Sequence, residues 1–192
     1  EVLNLRLGEL AAAAGAPLAT LAADVHVTPD FLGNRSPLAD PAMRGGVVGL
    51  GLSATLDDLA RLYLAAVQAL AYQTRQIVRA MEAAGHPPFE CVVACGGLAK
   101  NTLYAQSHAD ALGLDVLLPK EAEAVLLGAA ILGAAAGGAH PSVSAAMAAM
   151  TAVGEQVQPS TDAAVRAYHE RKYAVFVRMT EDQRAYREMM AA

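Results

Sequence analysis

The sequence predicts an α/β fold on three observations. Between Glu90 and Ala136, two short apolar runs that read as strands alternate with two segments that read as helices. Strand, helix, strand, helix at this spacing implies a parallel pair joined by a right-handed crossover. Apolar residues make up 55% of the 192 and charged residues only 17%, which excludes collagenous, mucin-like and disordered classes. Aromatic residues are 5% and alanines number 44, so the core has to be built from small aliphatic side chains. Such residues let the helices around Leu64–Ala66 and Gly128–Ala130 pack closely on a sheet.

Each element follows in order. From Leu5 to Ala23 an alanine-rich stretch broken by Gly15-Ala16-Pro17 predicts one or two short helices. Val25 to Thr28 alternates and is β-branched, a short strand. Pro29 to Gly51 carries dense Pro and Gly punctuation and reads as a structured loop, the kind that tends to be functional. A long helix follows, capped by Ser53 or Thr55, with Asp57 and Asp58 at the positive end of its dipole. Its apolar positions Leu59, Leu62, Ala66, Leu70, Ile77 and Met81 keep helical spacing, and Gly85 with Pro87 and Pro88 ends it. Glu90–Cys95 reads as a buried strand, Gly96-Gly97 as a tight turn, and Asn101–Leu112 as a helix stopped by Gly113. Leu114–Leu118 is a second strand, and Ala122–Ala136 a helix ending at Gly137-Gly138. Ser144–Met150 forms a short helix and Thr161–Met190 a long terminal one, amphipathic through Val165, Tyr168, Phe176 and Met179.

Charge and cysteine content narrow the function. A net charge of -5, with 14 basic residues spread along the chain, supplies no basic stripe for nucleic acid. The stretch Ala124–Ala139, bounded by Glu123 and His140 and rich in Gly and Ala, is too short for a membrane span and reads as a buried helix. Cys91 and Cys95, if on one strand, lie ~13 Å apart, too far for a disulfide or a shared metal. Both read as core thiols in a reducing compartment. The five histidines lack ligand spacing, and no metal site is expected.

Among motifs, Gly96-Gly97 is the foremost site candidate. A glycine pair between a strand and a helix lets backbone approach a ligand and presents amide donors where anions are favoured. Ligands of parallel sheets sit at the carboxyl ends of strands, where this turn lies. The same pair is also explained by a tight turn that needs a positive φ and nothing more. Gly49-Leu50-Gly51-Leu52-Ser53-Ala54 formally matches the dinucleotide fingerprint, yet the long helix after it leaves no strand-end acid about 20 residues on. No P-loop occurs. No serine sits in an elbow sequence, and neither cysteine has an evident histidine partner. The aspartates at 30, 40, 57, 58 and 110 are expected in turns and caps, and His108 and Asp110, two apart on a helix, do not form a dyad.

Together these segments resemble the FGGY family of carbohydrate kinases, of the actin-like ATPase superfamily. Gly45, Val47, Gly49 and Leu50 match the first half of the second family signature, and Leu62, Ala65, Ala66, Val67 and Gln68 its second half. Arg61 departs from the signature's polar slot, and the spacer is long. Gly33-Asn34-Arg35-Ser36-Pro37, Asp40-Pro41, Arg44-Gly45 and Ala71–Arg75 are similar to other family elements. Cys95–Asn101 resembles the adenosine motif, and Ala124–Ala130 the closing helix. Pro29–Asp40, Ser107–Gly113, the long spacer and the tail Tyr168–Met190 resemble the branch of D-ribulose kinases most.

The resemblance, which covers about Val25 to the C-terminus, implies an actin-like (ribonuclease H-like) ATPase domain, the C-terminal half of a two-domain sugar kinase. Residues 1–24 are then an incomplete lead-in from an upstream region, and 25–192 the nucleotide-side domain. It implies ATP-dependent phosphorylation of a sugar hydroxyl, on D-ribulose or a related ketopentose, with Mg²⁺ bridging phosphate oxygens. Gly96, Gly97 and Leu98 would line the nucleotide, with Asn101 near the adenine. None of the aspartates matches the family's base, which would belong to the N-terminal domain, so no catalytic residue is assigned and the chain alone is expected to be inactive. Expected partners are a pentulose, the N-terminal kinase domain of the same protein and a second copy in a homodimer, in the cytoplasm. The alternative is a non-catalytic actin-like ATP-binding module. A chain of this kind without its early strands is expected to expose an apolar edge and to be marginally stable.

Overall fold

The computed structural model describes residues 1–191. Helix α1 (Val2–Ala14) is ended by Gly15 in the left-handed conformation, and a 3₁₀ turn at Leu18–Ala22 leads into strand β1 (His26–Thr28). β1 pairs antiparallel with β2 (Gly46–Val48), in the register Val27 to Val47. β2 lies inside the segment expected to be a loop. Two valines flanked by glycines are too short a run to read as a strand, and the ribbon forms because the long excursion brings them back beside β1.

Helix α2 (Leu56–Ala83) is the spine of the molecule. Of the two candidate caps, Thr55 performs the role: its hydroxyl accepts from the Asp58 amide and the Asp58 carboxylate accepts from the Thr55 amide, a reciprocal capping box. One face of α2 buries Ala60, Leu64, Ala65 and Ala69 against Leu7 of α1, Ala22 and Val27. Farther along, Ala71 and Tyr72 pack on Ala111, Tyr173 and Phe176. Leu7 and Ala22, both inside the expected lead-in, thus share one core with α2.

The expected strand and helix alternation is present. β3 (Cys91–Val93) pairs parallel with β4 (Asp115–Pro119), with α3 (Thr102–Leu112) between them in sequence. After α4 (Ala124–Ala136) and α5 (Val143–Met150), β5 (Val153–Val157) returns antiparallel to β4, so the sheet order is β3-β4-β5. Helix α6 (Ala163–Met190) packs over α2 and α3, held to α2 by an ion pair in which Arg75 Nη2 donates to both carboxylate oxygens of Glu170, at 2.6 and 2.8 Å. On β4 only Val116 is buried, packing on Ala105 and Ala109 of α3.

Three expectations are corrected. The run Glu90–Cys95 is not a buried strand: β3 is an edge, Val93 is exposed, and Cys95 is exposed while Cys91 is half-buried, so they are not core thiols. The apolar helix at 124–136 is not buried either. Ile131 is its single buried residue, and Val125, Leu126 and Leu132 face outward. The small residues Gly128–Ala130 accordingly do not seat α4 on the sheet, and Ala129 and Ala130 are exposed. The physical reason is the same in each case. Apolar composition predicts burial, but no element among the described residues covers this side of the sheet.

Candidate functional site

The site is built at the carboxyl ends of β3 and β4. After β3 the chain reaches Gly96, whose φ of 91° and ψ of -174° lie in a region essentially closed to side-chain-bearing residues. A 3₁₀ turn at Gly97–Lys100 follows, closed by the Ala99 amide on the Gly96 carbonyl (3.2 Å) and the Asn101 amide on the Leu98 carbonyl (3.0 Å). Asn101 then caps α3, its side chain accepting from the Leu103 amide. Glycine is thus required at 96 by conformation. At Gly97 it is not: φ is ordinary there, and a Cβ would meet nothing within 4 Å. The outer side of the turn at Gly97 is open space.

A crevice of about 390 Å³ lies beside this turn, between it and the β4–α4 connection. Gly96, Lys100, Lys120, Glu121 and Glu155 line it, with Cys95 at its edge. Two ammonium groups beside free amides of a glycine turn can hold an anionic ligand such as a phosphate chain. Lys100 also approaches Glu123 at 3.6 Å, an exposed pair that leaves the ammonium free to change partners. A larger crevice of about 730 Å³ lies on the far side of α3, against Asn4, Gln106, Asp110 and Ser160. It has no cationic side chain on its walls, so it offers phosphate no counter-charge. Size alone does not select the site.

The four residues expected to line a nucleotide lie in one turn, Gly96 to Asn101, but do not face one way. Gly96 lines the crevice, and Gly97 and the exposed Leu98 lie on the outer side of the turn. Asn101 turns inward: its Oδ1 also accepts from Asn4 Nδ2 at 2.9 Å, and its Nδ2 donates to the Tyr63 hydroxyl at 2.7 Å. Residues missed by sequence reasoning are Lys100, Lys120, Asn4 and Tyr63. Lys100 carries a signal, since it sits within the Cys95–Asn101 motif; the others are brought in by the tertiary fold.

The remaining candidates resolve into structural roles. Asp58 belongs to the capping box, Asp57 pairs with Arg6 at 2.6 Å, and Asp40 pairs with Arg187 at 2.6 Å. Asp30 is buried, its Oδ1 accepting from Asn34 and Gln73 at 2.9 Å each, and burial pushes its carboxyl up. His108 turns to the Tyr104 carbonyl and Thr74 while Asp110 accepts from Gln106 and the Ser160 amide, so the two share no bond. Gly49 follows an antiparallel ribbon strand, which is not the parallel strand-to-helix context of a dinucleotide fingerprint. Among the described residues there is no group of three metal-ligating side chains, and no helix long and apolar enough to cross a membrane.

Comparison with known proteins shows the family and the fold. Residues 4–137 match the sequence profile of the FGGY family of carbohydrate kinases, C-terminal domain. The chain is 52% identical over 174 residues to the FGGY carbohydrate kinase domain-containing protein of Homo sapiens, which covers 91% of the chain and 31% of that protein. It is 41% identical over 108 residues to a D-ribulokinase of Saccharomyces cerevisiae, 56% of the chain and 15% of that protein. In fold it is similar to a xylulose kinase from Rhodospirillum rubrum (TM-score 0.67, 28% identity, 96% of the chain and 38% of that one). It is also similar to the Plasmodium falciparum glycerol kinase solved with ADP (TM-score 0.64, 20% identity, 83% and 31%). The chain spans about a third of the length of the FGGY carbohydrate kinase domain-containing proteins of Homo sapiens and Xenopus laevis that it matches. With its sheet order, its glycine turn and this match along most of its length, the chain belongs to the FGGY family of carbohydrate kinases and corresponds to their C-terminal domain.

Proposed function

We propose that this chain is the nucleotide-binding side of an ATP-dependent kinase that phosphorylates a hydroxyl of D-ribulose or a related ketopentose. Residues 25–192 form its body, and residues 1–24 are a lead-in that packs on it. The observation that carries the nucleotide assignment is the turn at Gly96-Gly97, open on its outer side at the carboxyl ends of a parallel strand pair and flanked by Lys100 and Lys120. Support for the sugar comes from likeness to the D-ribulokinase, and support for ATP from likeness to the glycerol kinase solved with ADP.

Phosphoryl transfer asks the protein mainly for positioning and for stabilisation of charge. Backbone at Gly96 and Gly97 approaches the ribose and phosphates, Leu98 covers an apolar surface of the nucleotide, and the two lysines offset phosphate charge. Asn101 keeps one amide hydrogen uncommitted. Mg²⁺, when bound, neutralises phosphate charge. The crevice fits an ion carried chiefly by phosphates, because Glu121 and Glu155 are at hand but no closed cage of ligands exists among the described residues. As the family resemblance implies, the base that activates the sugar hydroxyl comes from an N-terminal domain; within this chain Asp40 and Asp57 are engaged in ion pairs and Asp30 in its buried contacts with Asn34 and Gln73.

The test is Gly97→Val in the full-length protein. The fold has room for the side chain, so it intrudes on the ligand and not on the protein. The ATP KM is expected to rise by about tenfold or more, with sugar KM little changed. An unaltered ATP KM sinks the nucleotide assignment. An ADP-release assay over pentuloses, polyols and hexoses addresses the acceptor, and a higher kcat/KM on a polyol or hexose than on D-ribulose overturns that part. Detectable sugar phosphorylation by the 192 residues alone overturns the placement of the base.

A further inference from the structure

Asn101 does more than cap a helix. A cap needs only one side-chain oxygen aimed at the second or third amide, which serine or aspartate supplies equally well. Here Oδ1 accepts twice, from the Leu103 amide at 3.1 Å and from Asn4 Nδ2 at 2.9 Å, so both of its lone pairs are filled. Nδ2 donates one hydrogen to the Tyr63 hydroxyl at 2.7 Å. The amide is therefore bound from three elements: its own helix α3, α1 through Asn4 and α2 through Tyr63. Its orientation is set by α3, because reversing the amide would put Nδ2 against the Leu103 N–H. The second Nδ2 hydrogen has no partner among the described residues. Asn101 is also the far post of the turn that starts at Gly96, tied to it through the Leu98 carbonyl.

We propose that Tyr63 and Asn4 are positioning residues of the nucleotide site. They act through Asn101 to hold one amide hydrogen toward an acceptor on the base and to fix the far end of the glycine turn. This rests on the assignment of the glycine turn to a nucleotide. Neither residue touches the nucleotide. Their contribution is orientation, so it acts on nucleotide binding and on neither the sugar nor the chemical step.

The experiment compares Tyr63→Phe, Asn4→Ser and Asn101→Ser, together with the double variant Tyr63→Phe/Asn101→Ser, in the full-length kinase. Serine at 101 keeps a capping oxygen for α3 but removes the amide hydrogen. Tyr63→Phe and Asn4→Ser are each expected to raise the ATP KM about fivefold, the scale of one lost hydrogen bond, with sugar KM and kcat within about twofold of the parent. In the Asn101→Ser background, Tyr63→Phe is expected to add no further change in ATP KM, because the group it orients is gone. An equal, additive effect in that background overturns the proposal, as does a parallel rise of both KM values with a lowered Tm, which is what plain loss of packing produces. Gly97→Val separates the two levels. If it leaves ATP KM unchanged the nucleotide assignment fails, whereas a large Gly97→Val effect beside inert Tyr63→Phe and Asn4→Ser overturns this inference alone.

Discussion

His169, only 1% exposed on α6, shows how a buried titratable group links the core to pH. Its Nδ1 lies 2.9 Å from the Tyr72 hydroxyl, and its Nε2 is buried without a hydrogen-bond partner among the described residues. Burial, then the charges of Arg75 and Lys172, hold its pKa down at about 4. An unfolded chain takes up the proton near the ordinary value of about 6.5, so the folded state binds fewer protons between those two points. The stability that neutral His169 contributes is fully present above pH 6.5 and is lost as pH falls toward 4, a change on the order of 3 kcal/mol. His26 and His108 are pushed down as well and act in the same direction, while the raised carboxyls of Asp30 and Asp110 act against it. Comparison of the parent with His169→Gln isolates the one residue. Urea midpoints at pH 7.5 and pH 4.5 are expected to differ less in the variant than in the parent, and equal differences would show that His169 carries none of the slope.

At the scale of elements, the ribbon of β1 and β2 turns on Gly49. Its φ is 91°, and a Cβ there would overlap the carbonyl oxygen of Asp24. Gly51, two residues on, has nothing within 4 Å. Gly49→Ala is expected to destabilise by several kcal/mol, on the order of 3, through strain and backbone displacement, whereas Gly51→Ala leaves the melting temperature nearly unchanged. A nucleotide fingerprint would instead make both glycines matter to ligand and neither so strongly to folding, so thermal melts of the two variants separate the readings. The same ribbon marks where sequence is legible. α2 is plain because its apolar spacing, cap and stop all agree, α3 because Gly113 stops it, α6 by its apolar spacing, and the β3–α3–β4 unit because two short apolar runs flank a helix. β2 and β5 are not: Val153-Gly154-Glu155-Gln156-Val157 has no apolar run, lies largely exposed, and is a strand through its ladder with β4. Gly96 and Gly97 are legible since a turn between strand and helix is local. Asn4, Tyr63 and Lys120 reach the site only through contacts between residues far apart in sequence.

Over the whole molecule, apolar surface is distributed unevenly. Val125 and Leu126 on α4 are 87% and 68% exposed, Leu132 lies on the same helix, and Val93 and Leu98 are exposed beside the glycine turn. Val125 and Leu132, seven residues apart, share one face of α4, and monomeric domains seldom present large contiguous aliphatic patches to water. Composition cannot distinguish such a face from a core, because both need the same residues, and for that reason the helix at 124–136 reads as buried. The uncovered face predicts that these 192 residues, prepared alone, self-associate with rising concentration and bind an apolar dye. Val125→Ser with Leu126→Ser removes exposed aliphatic surface while touching neither Ile131, the one buried side chain of α4, nor the glycine turn. Exposed substitutions of this kind change stability by about 0.5 kcal/mol or less each. The double variant is therefore expected to stay monomeric at concentrations where the parent associates and to bind less dye, with the melting temperature held within a few degrees. Sedimentation that shows the two associating equally would mean that α4 is not the adhesive surface. A large fall in melting temperature would mean instead that Val125 and Leu126 are packed in solution.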